Sequence, residues 1–233
     1  IPCYNHEQFV QDSIQSVIDQ DYENIELIII DDGSKDNSVS KIQEMIAACK
    51  ERFVRFEFRY RDNIGLSSTL NEALEWCEGE YFCGLASDDI VIDKKVSNQV
   101  KIMEENNKIV ATFGSVKYIN EHGDITGRND TPEKLYTFSD IINHKHNLQA
   151  PTQMIRASAL KKTGGYISGM ILEDWYMWLK LSMIGDIYCQ SDILSLYRRH
   201  SSNTTNDLEL MHEGRLQVLG YFKDTEDYET AMK

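Results

Sequence analysis

The sequence predicts an α/β fold in which a mostly parallel central sheet carries helices on both faces, with a smaller subdomain on the C-terminal side. Over the first ~120 residues, apolar runs typical of strands alternate with stretches whose apolar residues recur at helical spacing. Such alternation is typical of a parallel sheet covered by helices. After about residue 120 the alternation stops. We therefore expect residues 1–120 and 121–233 to form two halves of a single domain.

Each element of the first half has its own pattern. The run at 25–30 is almost continuously apolar, which is expected for a strand buried on both faces. The segment 54–60 alternates apolar and charged residues, which predicts a strand with one wetter face. The predicted order is a strand end at 1–4, a helix from 9 to about 21, a strand at 25–30, a helix at 39–50, a strand at 54–60, a helix at 66–77, a strand at 81–85, a helix at 94–105 and a strand at 109–118.

The second half is less regular. Residues 173–184 form the strongest predicted helix there, and 208–222 also has a helical pattern. Short strands are predicted at 152–156, 186–191 and 194–199, while 130–146 reads as a loop with one short helix.

Composition restricts the function classes. The net charge is −14, from 38 acidic and 24 basic residues, which argues against a nucleic-acid surface. Five cysteines without a Cys-x-x-Cys pair fit a reducing compartment and no zinc site. No run of about 18 apolar residues and no signal peptide is visible, so we expect a cytoplasmic protein without a transmembrane segment. Because the chain opens on what looks like the end of a strand, we also expect a few upstream residues.

Two carboxylate pairs follow predicted strands. Asp31 and Asp32 come after the run at 25–30, and Asp88 and Asp89 come shortly after the run at 81–85. If both strands lie in one parallel sheet, the four carboxylates face one crevice at its carboxyl edge. Clustered like charges are costly unless they share a cation, and Mg²⁺ or Mn²⁺ that also holds phosphate would supply it. For Asp31 and Asp32 the alternative is a turn that caps the next helix.

Two segments of the second half carry further candidates. Asp174 opens a helix, where an acid is favourable at the helix N-terminus, but it could also remove a proton from an acceptor hydroxyl. Arg198, Arg199 and His200 are either a solvated basic spot or a clamp for a diphosphate.

These motifs, in this order, resemble the inverting glycosyltransferases of family 2, which have the GT-A fold. The resemblance covers nearly the whole chain. The matching motifs are Ile1-Pro2-Cys3-Tyr4-Asn5, Asp31-Asp32-Gly33-Ser34, the stretch 63–71 followed by Gly79-Glu80-Tyr81, Ser87-Asp88-Asp89, Glu173-Asp174-Trp175 and Tyr197-Arg198-Arg199-His200. The chain departs from the family at Ala86, where many members have a further aspartate.

The resemblance implies roles for particular residues. It implies Asp174 as the general base, and Asp89 with His200 as ligands of Mn²⁺ or Mg²⁺. The residues implied to contact the nucleotide-sugar are Pro2, Cys3, Tyr4, Asn5, Asp32, Asp88, Glu173, Trp175 and Arg199. Residues 1–120 would then bind the donor and residues 121–233 the acceptor.

The activity implied is metal-dependent transfer, with inversion, of a sugar from a nucleotide-diphospho-sugar, with a UDP-sugar as the expected donor. The acceptor would be a glycan or a lipid-linked saccharide in bacterial surface polysaccharide synthesis. The alternative is a catalytically silent module of the same fold that binds a nucleotide-sugar. Peripheral attachment to the inner membrane face and a homodimer both remain open.

Overall fold

The computed structural model describes residues 1–201 and 203–233. It contains strands and helices that alternate through the first half, as the sequence predicted. The strands are β1 Pro2–Cys3, β2 Glu26–Asp31, β3 Arg55–Tyr60, β4 Tyr81–Phe82, β5 Ile90–Val91, β6 Ile109–Ile119, β7 Ile125–Asn129, β8 Lys134–Tyr136, β9 Met154–Arg156 and β10 Asp186–Arg198. The helices are α1 Val10–Ile18, α2 Ser38–Arg52, α3 Leu66–Trp76, α4 Lys95–Glu105, α5 Phe138–Ile142, α6 Ala157–Lys162, α7 Glu173–Ser182, α8 Leu208–Leu219 and α9 Tyr228–Ala231.

The first sheet is parallel and has the order β1-β2-β3. Its central strand β2 is buried between helices on both faces, which explains its continuous apolar run. Leu27 and Ile29 pack in one cluster with residues of α1 and α2. Ile28 and Ile30 line a cavity on the opposite face together with residues of α3. The α/β class predicted from the sequence is confirmed.

The second sheet is mixed. Its strands follow the order β4-β9-β6-β10-β5, with β7 against β6 and β8 against β10. Strand β10 runs parallel to β6, whereas β9 is antiparallel to both β4 and β6. The strand at 81–82 therefore does not join the sheet of β2, and the two aspartate pairs follow strands of different sheets. Local patterns predict a strand but not its partner, so the sequence could not show this.

Residues of both halves share the second sheet. Strand β9 from the second half lies between β4 and β6 from the first. Strand β10 is one continuous element where the sequence suggested two, and its register with β6 is irregular between Cys189 and Ser195. Helix α7 contributes Trp175, Trp178 and Leu179 to the large core cluster beside this sheet. Within the described residues, no helix is both long and apolar enough to cross a membrane.

Candidate functional site

The Asp31-Asp32-Gly33-Ser34 loop leaves the carboxyl end of β2, and Asp31 organises the loop. Asp31 Oδ1 accepts hydrogen bonds from the backbone N–H groups of Gly33 at 3.2 Å and Ser34 at 2.9 Å. Asp31 Oδ2 accepts from the Ser34 hydroxyl at 2.6 Å. This is the aspartate-centred turn weighed as the alternative for this pair, and Asp31 is buried within it.

Asp32 is buried and connects β2 to the loop before α3. Its carboxylate accepts hydrogen bonds from the Arg61 guanidinium, from the Ile64 N–H at 2.9 Å and from the Gly65 N–H at 3.0 Å. Each carboxylate oxygen has two lone pairs, so Asp32 retains acceptor capacity beyond these partners. Asp32 can therefore still accept a hydrogen bond from a nucleoside, which is the contact predicted for it.

The opening segment 1–5 lies beside this loop. Tyr4 is 47% exposed, so its ring can face a ligand, and Pro2 is half-buried. The Cys3 thiol is buried in the core, and burial raises its pKa to about 11. Of the residues predicted to touch the donor, Cys3 therefore offers no accessible side chain. Its carbonyl instead accepts from the Asp32 N–H at 2.8 Å.

Asn5 has a positive φ of 54°, a backbone conformation that asparagine tolerates better than most residues. Its N–H donates to Ser34 Oγ at 2.8 Å, and its Oδ1 accepts from the Lys35 N–H at 2.7 Å. The predicted donor-binding residue Asn5 is thus engaged in joining the opening segment to the loop after β2. The reversal at Asn5 directs His6 toward the second aspartate pair.

Asp88 lies between two histidines. Its Oδ2 is 2.9 Å from His200 Nε2, and its Oδ1 is 3.9 Å from His6 Nδ1. The ligand atoms that the three residues offer all lie within 4.8 Å of one another. The side chains of Asp88 and His200 are 8% and 4% exposed, against 23% for His6. The cluster is therefore shielded from solvent at Asp88 and His200 and is more accessible at His6.

The donor set fits a divalent cation. Carboxylate oxygen and imidazole nitrogen are both ligands of first-row transition ions, and a site that keeps open positions can also take phosphate oxygens. Sequence reasoning predicted His200 but missed His6, although His6 directly follows the Tyr4-Asn5 motif. His6 and His200 come from opposite ends of the chain, and the tertiary structure, which a pattern does not show, brings them together.

The Asp89 carboxylate accepts a hydrogen bond from the backbone of β10. Its Oδ1 accepts from the backbone N–H of Arg198 at 2.8 Å, and the residue is 2% exposed. Burial, and then the negative charge of Asp88, raises the pKa of the Asp89 carboxyl. The structure thus brings Asp88, rather than the predicted metal ligand Asp89, next to His200.

Arg199 is exposed at the end of β10 and packs against two neighbouring tyrosine rings. Its guanidinium carbon lies 4.5 Å from the centroid of Tyr118 and 5.2 Å from that of Tyr197. Such stacking stabilises a cation while leaving its donors accessible. Among the described residues no carboxylate lies within 4.0 Å of this guanidinium. Arg199 therefore presents guanidinium donors that no carboxylate contacts directly, as a predicted contact for a diphosphate requires, while its charge also partly opposes the rise that burial causes in the pKa of the Asp89 carboxyl.

Glu173 and Asp174 are adjacent carboxyls in the first turn of helix α7. Burial raises the pKa of Asp174, although its Oδ1 accepts from the Trp175 N–H at 2.6 Å. Burial, and then the charge of Asp174, raises the pKa of Glu173. A carboxylate with a raised pKa holds a proton more strongly and is better matched to general-base work near neutral pH.

Trp175 packs in the core instead of offering a surface to a sugar. The residue is 4% exposed, and its indole N–H donates to the Ile141 carbonyl at 3.1 Å. The imidazole of His144 stacks on it with ring centroids 4.3 Å apart. The predicted substrate contact of Trp175 therefore has little ring surface available.

A family model described as Glycosyl transferase family 2 matches residues 1–164 of this chain. One curated relative is the Escherichia coli protein UDP-Glc:alpha-D-GlcNAc-diphosphoundecaprenol beta-1,3-glucosyltransferase WfgD. It is 29% identical, and the alignment covers 95% of this chain and 84% of the relative. An uncharacterised glycosyltransferase of Rickettsia conorii is 27% identical over 91% of this chain, which spans 35% of that protein.

Two groups of solved structures share the fold. Staphylococcus aureus TarS 1–349 in complex with UDP-GlcNAc has a TM-score of 0.73 at 18% identity, covering 94% of this chain and 64% of that one. The mannosyltransferase PcManGT of Pyrobaculum calidifontis, in complex with GDP-Man and Mn²⁺, has a TM-score of 0.72 at 13% identity, covering 96% and 63%. These likenesses confirm the predicted GT-A architecture.

Proposed function

Because this chain belongs to glycosyl transferase family 2, we propose that it transfers a sugar from a nucleotide-diphospho-sugar to an acceptor hydroxyl with inversion. The observation that carries this proposal is the arrangement of its acidic and basic groups. An aspartate lies between two histidines, which suits a divalent cation, and an exposed arginine lies nearby, which suits a diphosphate. A pair of carboxyls with raised pKa suits a general base.

In this mechanism Asp174 removes the proton of the acceptor hydroxyl. The acceptor oxygen then forms a bond to the anomeric carbon as the bond from that carbon to the diphosphate breaks, with the sugar passing through an oxocarbenium-like state. The diphosphate leaves with the bonding electron pair, and Arg199 stabilises its charge. A divalent cation held by Asp88 and His200 would neutralise the same charge when bound. This is a single displacement in which the acceptor oxygen attacks the face of the anomeric carbon opposite the departing diphosphate, and it accounts for inversion.

The donor and acceptor follow from relatives and remain part of the proposal. The relative WfgD is named for a UDP-Glc donor and a GlcNAc-diphosphoundecaprenol acceptor. TarS was solved with UDP-GlcNAc. We therefore propose a UDP-hexose or UDP-N-acetylhexosamine as the donor and a lipid-linked saccharide in bacterial surface polysaccharide synthesis as the acceptor. Exposed Tyr4 and the residual acceptor capacity of Asp32 are consistent with holding the nucleoside.

The test compares the wild-type protein with Asp174→Asn, using UDP-glucose, UDP-GlcNAc and a synthetic GlcNAc-diphospho-lipid acceptor. Loss of a general base is expected to lower the transfer rate by roughly 10²–10⁴-fold. UDP binding, measured by calorimetry, should persist. The exposed Asp192 provides the matched control, Asp192→Asn, which should transfer at the wild-type rate. Transfer at that rate by Asp174→Asn would contradict the assigned base.

The same experiment separates the alternative of a silent binding module. Tight UDP-sugar binding without release of UDP in the presence of any acceptor tested would favour that module and overturn the proposed transfer.

A further inference from the structure

We propose that His6 is a third protein ligand of the divalent cation, so that two imidazoles and one carboxylate hold it. This inference rests on the proposed function, and it adds a metal preference: transition ions such as Mn²⁺ and Co²⁺ bind more tightly than Mg²⁺. Neither the family motifs nor the sequence pattern pointed to His6.

His6 is held in place through its backbone. Its N–H donates to Ser38 Oγ at 2.9 Å, and Ser38 Oγ donates to Asp36 Oδ1 at 2.6 Å. The carbonyl of His6 accepts from the N–H groups of Phe9 and Val10 at the start of α1. Both backbone groups of His6 are therefore fixed before any ligand binds, which reduces the conformational entropy that metal binding would cost.

The distances suit a common ion. A cation about 2.1 Å from each ligand atom spans two atoms that are up to about 4.2 Å apart. The pair Asp88 Oδ2 and His200 Nε2, at 2.9 Å, subtends about a right angle at such an ion. His6 Nδ1 and Asp88 Oδ1, at 3.9 Å, are also within that span. All three ligand atoms lie within 4.8 Å of one another, so the widest pair must approach by at most about 0.6 Å, from 4.8 to about 4.2 Å, for the three residues to share one ion.

The competing interpretation is that His6 only packs. Its Nδ1 is 2.8 Å from Ser87 Oγ, and its ring meets Phe9 edge-on with centroids 5.9 Å apart. Those contacts would satisfy a structural histidine. They do not explain why its ring also lies 5.8 Å from that of His200, with the Asp88 carboxylate near a nitrogen of each. That convergence favours a ligand role, with Ser87 orienting the ring.

The metal preference follows from the ligand types. Imidazole suits first-row transition ions, whereas Mg²⁺ prefers an all-oxygen shell and gives up its waters reluctantly. One imidazole beside a carboxylate gives a weak preference, and a second imidazole strengthens it. Replacing His6 should therefore reduce Mn²⁺ affinity and also narrow the preference for Mn²⁺ over Mg²⁺.

The experiment measures metal binding without catalysis. Mn²⁺ is titrated into the protein, with and without UDP, and free Mn²⁺ is followed by its EPR signal, while Mg²⁺ is measured by competition. His6→Phe keeps a ring against Phe9 but has no nitrogen. His6→Leu, which also has no donor atom, serves as a second variant, so that a fold defect in either one does not decide the result. His122→Phe, at an exposed turn, is the matched control.

We expect both His6 variants to bind Mn²⁺ roughly tenfold more weakly, with a smaller preference over Mg²⁺, and His122→Phe to match the wild-type protein. Folded His6 variants that bind Mn²⁺ like His122→Phe would overturn the inference, as would a wild-type protein that binds no Mn²⁺ even with UDP. Asp174→Asn should bind Mn²⁺ normally. Loss of transfer and loss of metal binding therefore report separately on the proposed function and on His6.

Discussion

The backbone N–H of Arg198 donates to Asp89 Oδ1 at 2.8 Å, while the Arg198 side chain donates through Nε to the carbonyl of Asp88 at the same distance. One residue at the end of β10 thus fixes both members of the second aspartate pair. With Asp89 engaged in this way, the Asp88 carboxylate faces His200. The neighbouring Arg199 is exposed, and in the proposed mechanism it would contact the diphosphate.

Arg198→Lys should therefore destabilise the protein. Arg198 is 1% exposed, and its guanidinium also donates to the carbonyls of Asn120 and Glu121 and to the Asp12 carboxylate. A lysine ammonium cannot reproduce that planar set of donors, and each buried acceptor left unpaired costs about 1–3 kcal/mol. We expect the free energy of unfolding, measured in urea, to fall by about 3 kcal/mol in total.

The control for Arg198→Lys is Asp12→Asn, which removes only the ion pair of this network. Because the Asp12 side chain is 60% exposed, that loss should stay below about 1 kcal/mol. Equal stability of Arg198→Lys and the wild-type protein would show that the buried network contributes nothing.

Glu173→Gln should stabilise the protein at neutral and alkaline pH. The raised pKa of Glu173 in the folded state means that folding becomes less favourable as the pH rises above the unfolded pKa of about 4.3. Below that pH Glu173 is protonated in both the folded and the unfolded state, so its titration no longer destabilises the fold. The melting temperature of Glu173→Gln should therefore exceed that of the wild-type protein at pH 8, and the two should agree near pH 4.

Glu173→Gln should leave the low-pH side of the pH–rate profile of transfer unchanged. Burial, and then the charge of Asp174, raises the pKa of Glu173 to about 8, so Glu173 still holds its proton where Asp174 ionises. Glu209→Gln, in the first turn of α8 and exposed, is the control for the stability effect and should not show it. A profile displaced to lower pH in Glu173→Gln would mean that Glu173, and not Asp174, ionises first.

Gly33→Ala should disturb the donor site more than Gly123→Ala. Both glycines have positive φ, 82° and 85°, so the backbone cost of the substitution is similar. A Cβ at Gly33 would lie 2.6 Å from the Asn63 nitrogen, whereas at Gly123 nothing lies within 4 Å. The collision should cost about 1–3 kcal/mol more in denaturant unfolding.

Because residues 61–65 supply the donors to Asp32, Gly33→Ala should also weaken UDP binding in calorimetry, and Gly123→Ala should not. Matching UDP affinities in the two variants would mean that the 61–65 segment does not shape the nucleoside site.

The sequence predicted best what is encoded locally. The apolar run at 25–30 corresponds to strand β2, Glu26–Asp31. The helix predicted to begin at Glu173 begins there in the structure. The Asp31 turn was visible as an alternative because an aspartate before Gly-Ser favours its own backbone contacts. Periodicity and turn chemistry act within a few residues, so the elements they define can be predicted without knowledge of the tertiary structure.

The rest depends on contacts between distant residues. Nothing near residue 81 shows that β4 pairs with β9, more than 70 residues later. The stacking of His144 on Trp175 and the ring contact between His6 and His200 also join residues that are distant in the sequence, so local patterns could not predict them. The short strands Ile90–Val91 and Lys134–Tyr136 were missed because their pairing with β10, and not their composition, defines them.

The interleaved second sheet has a consequence for how such chains diversify. Since β9 lies between β4 and β6, a crossover near residue 120 between two homologous genes would place a foreign strand inside an inherited sheet. An exchange of whole halves would therefore have to preserve the pairing of β9 with both β4 and β6, whereas a change in the loops that leave this sheet disturbs no strand pairing.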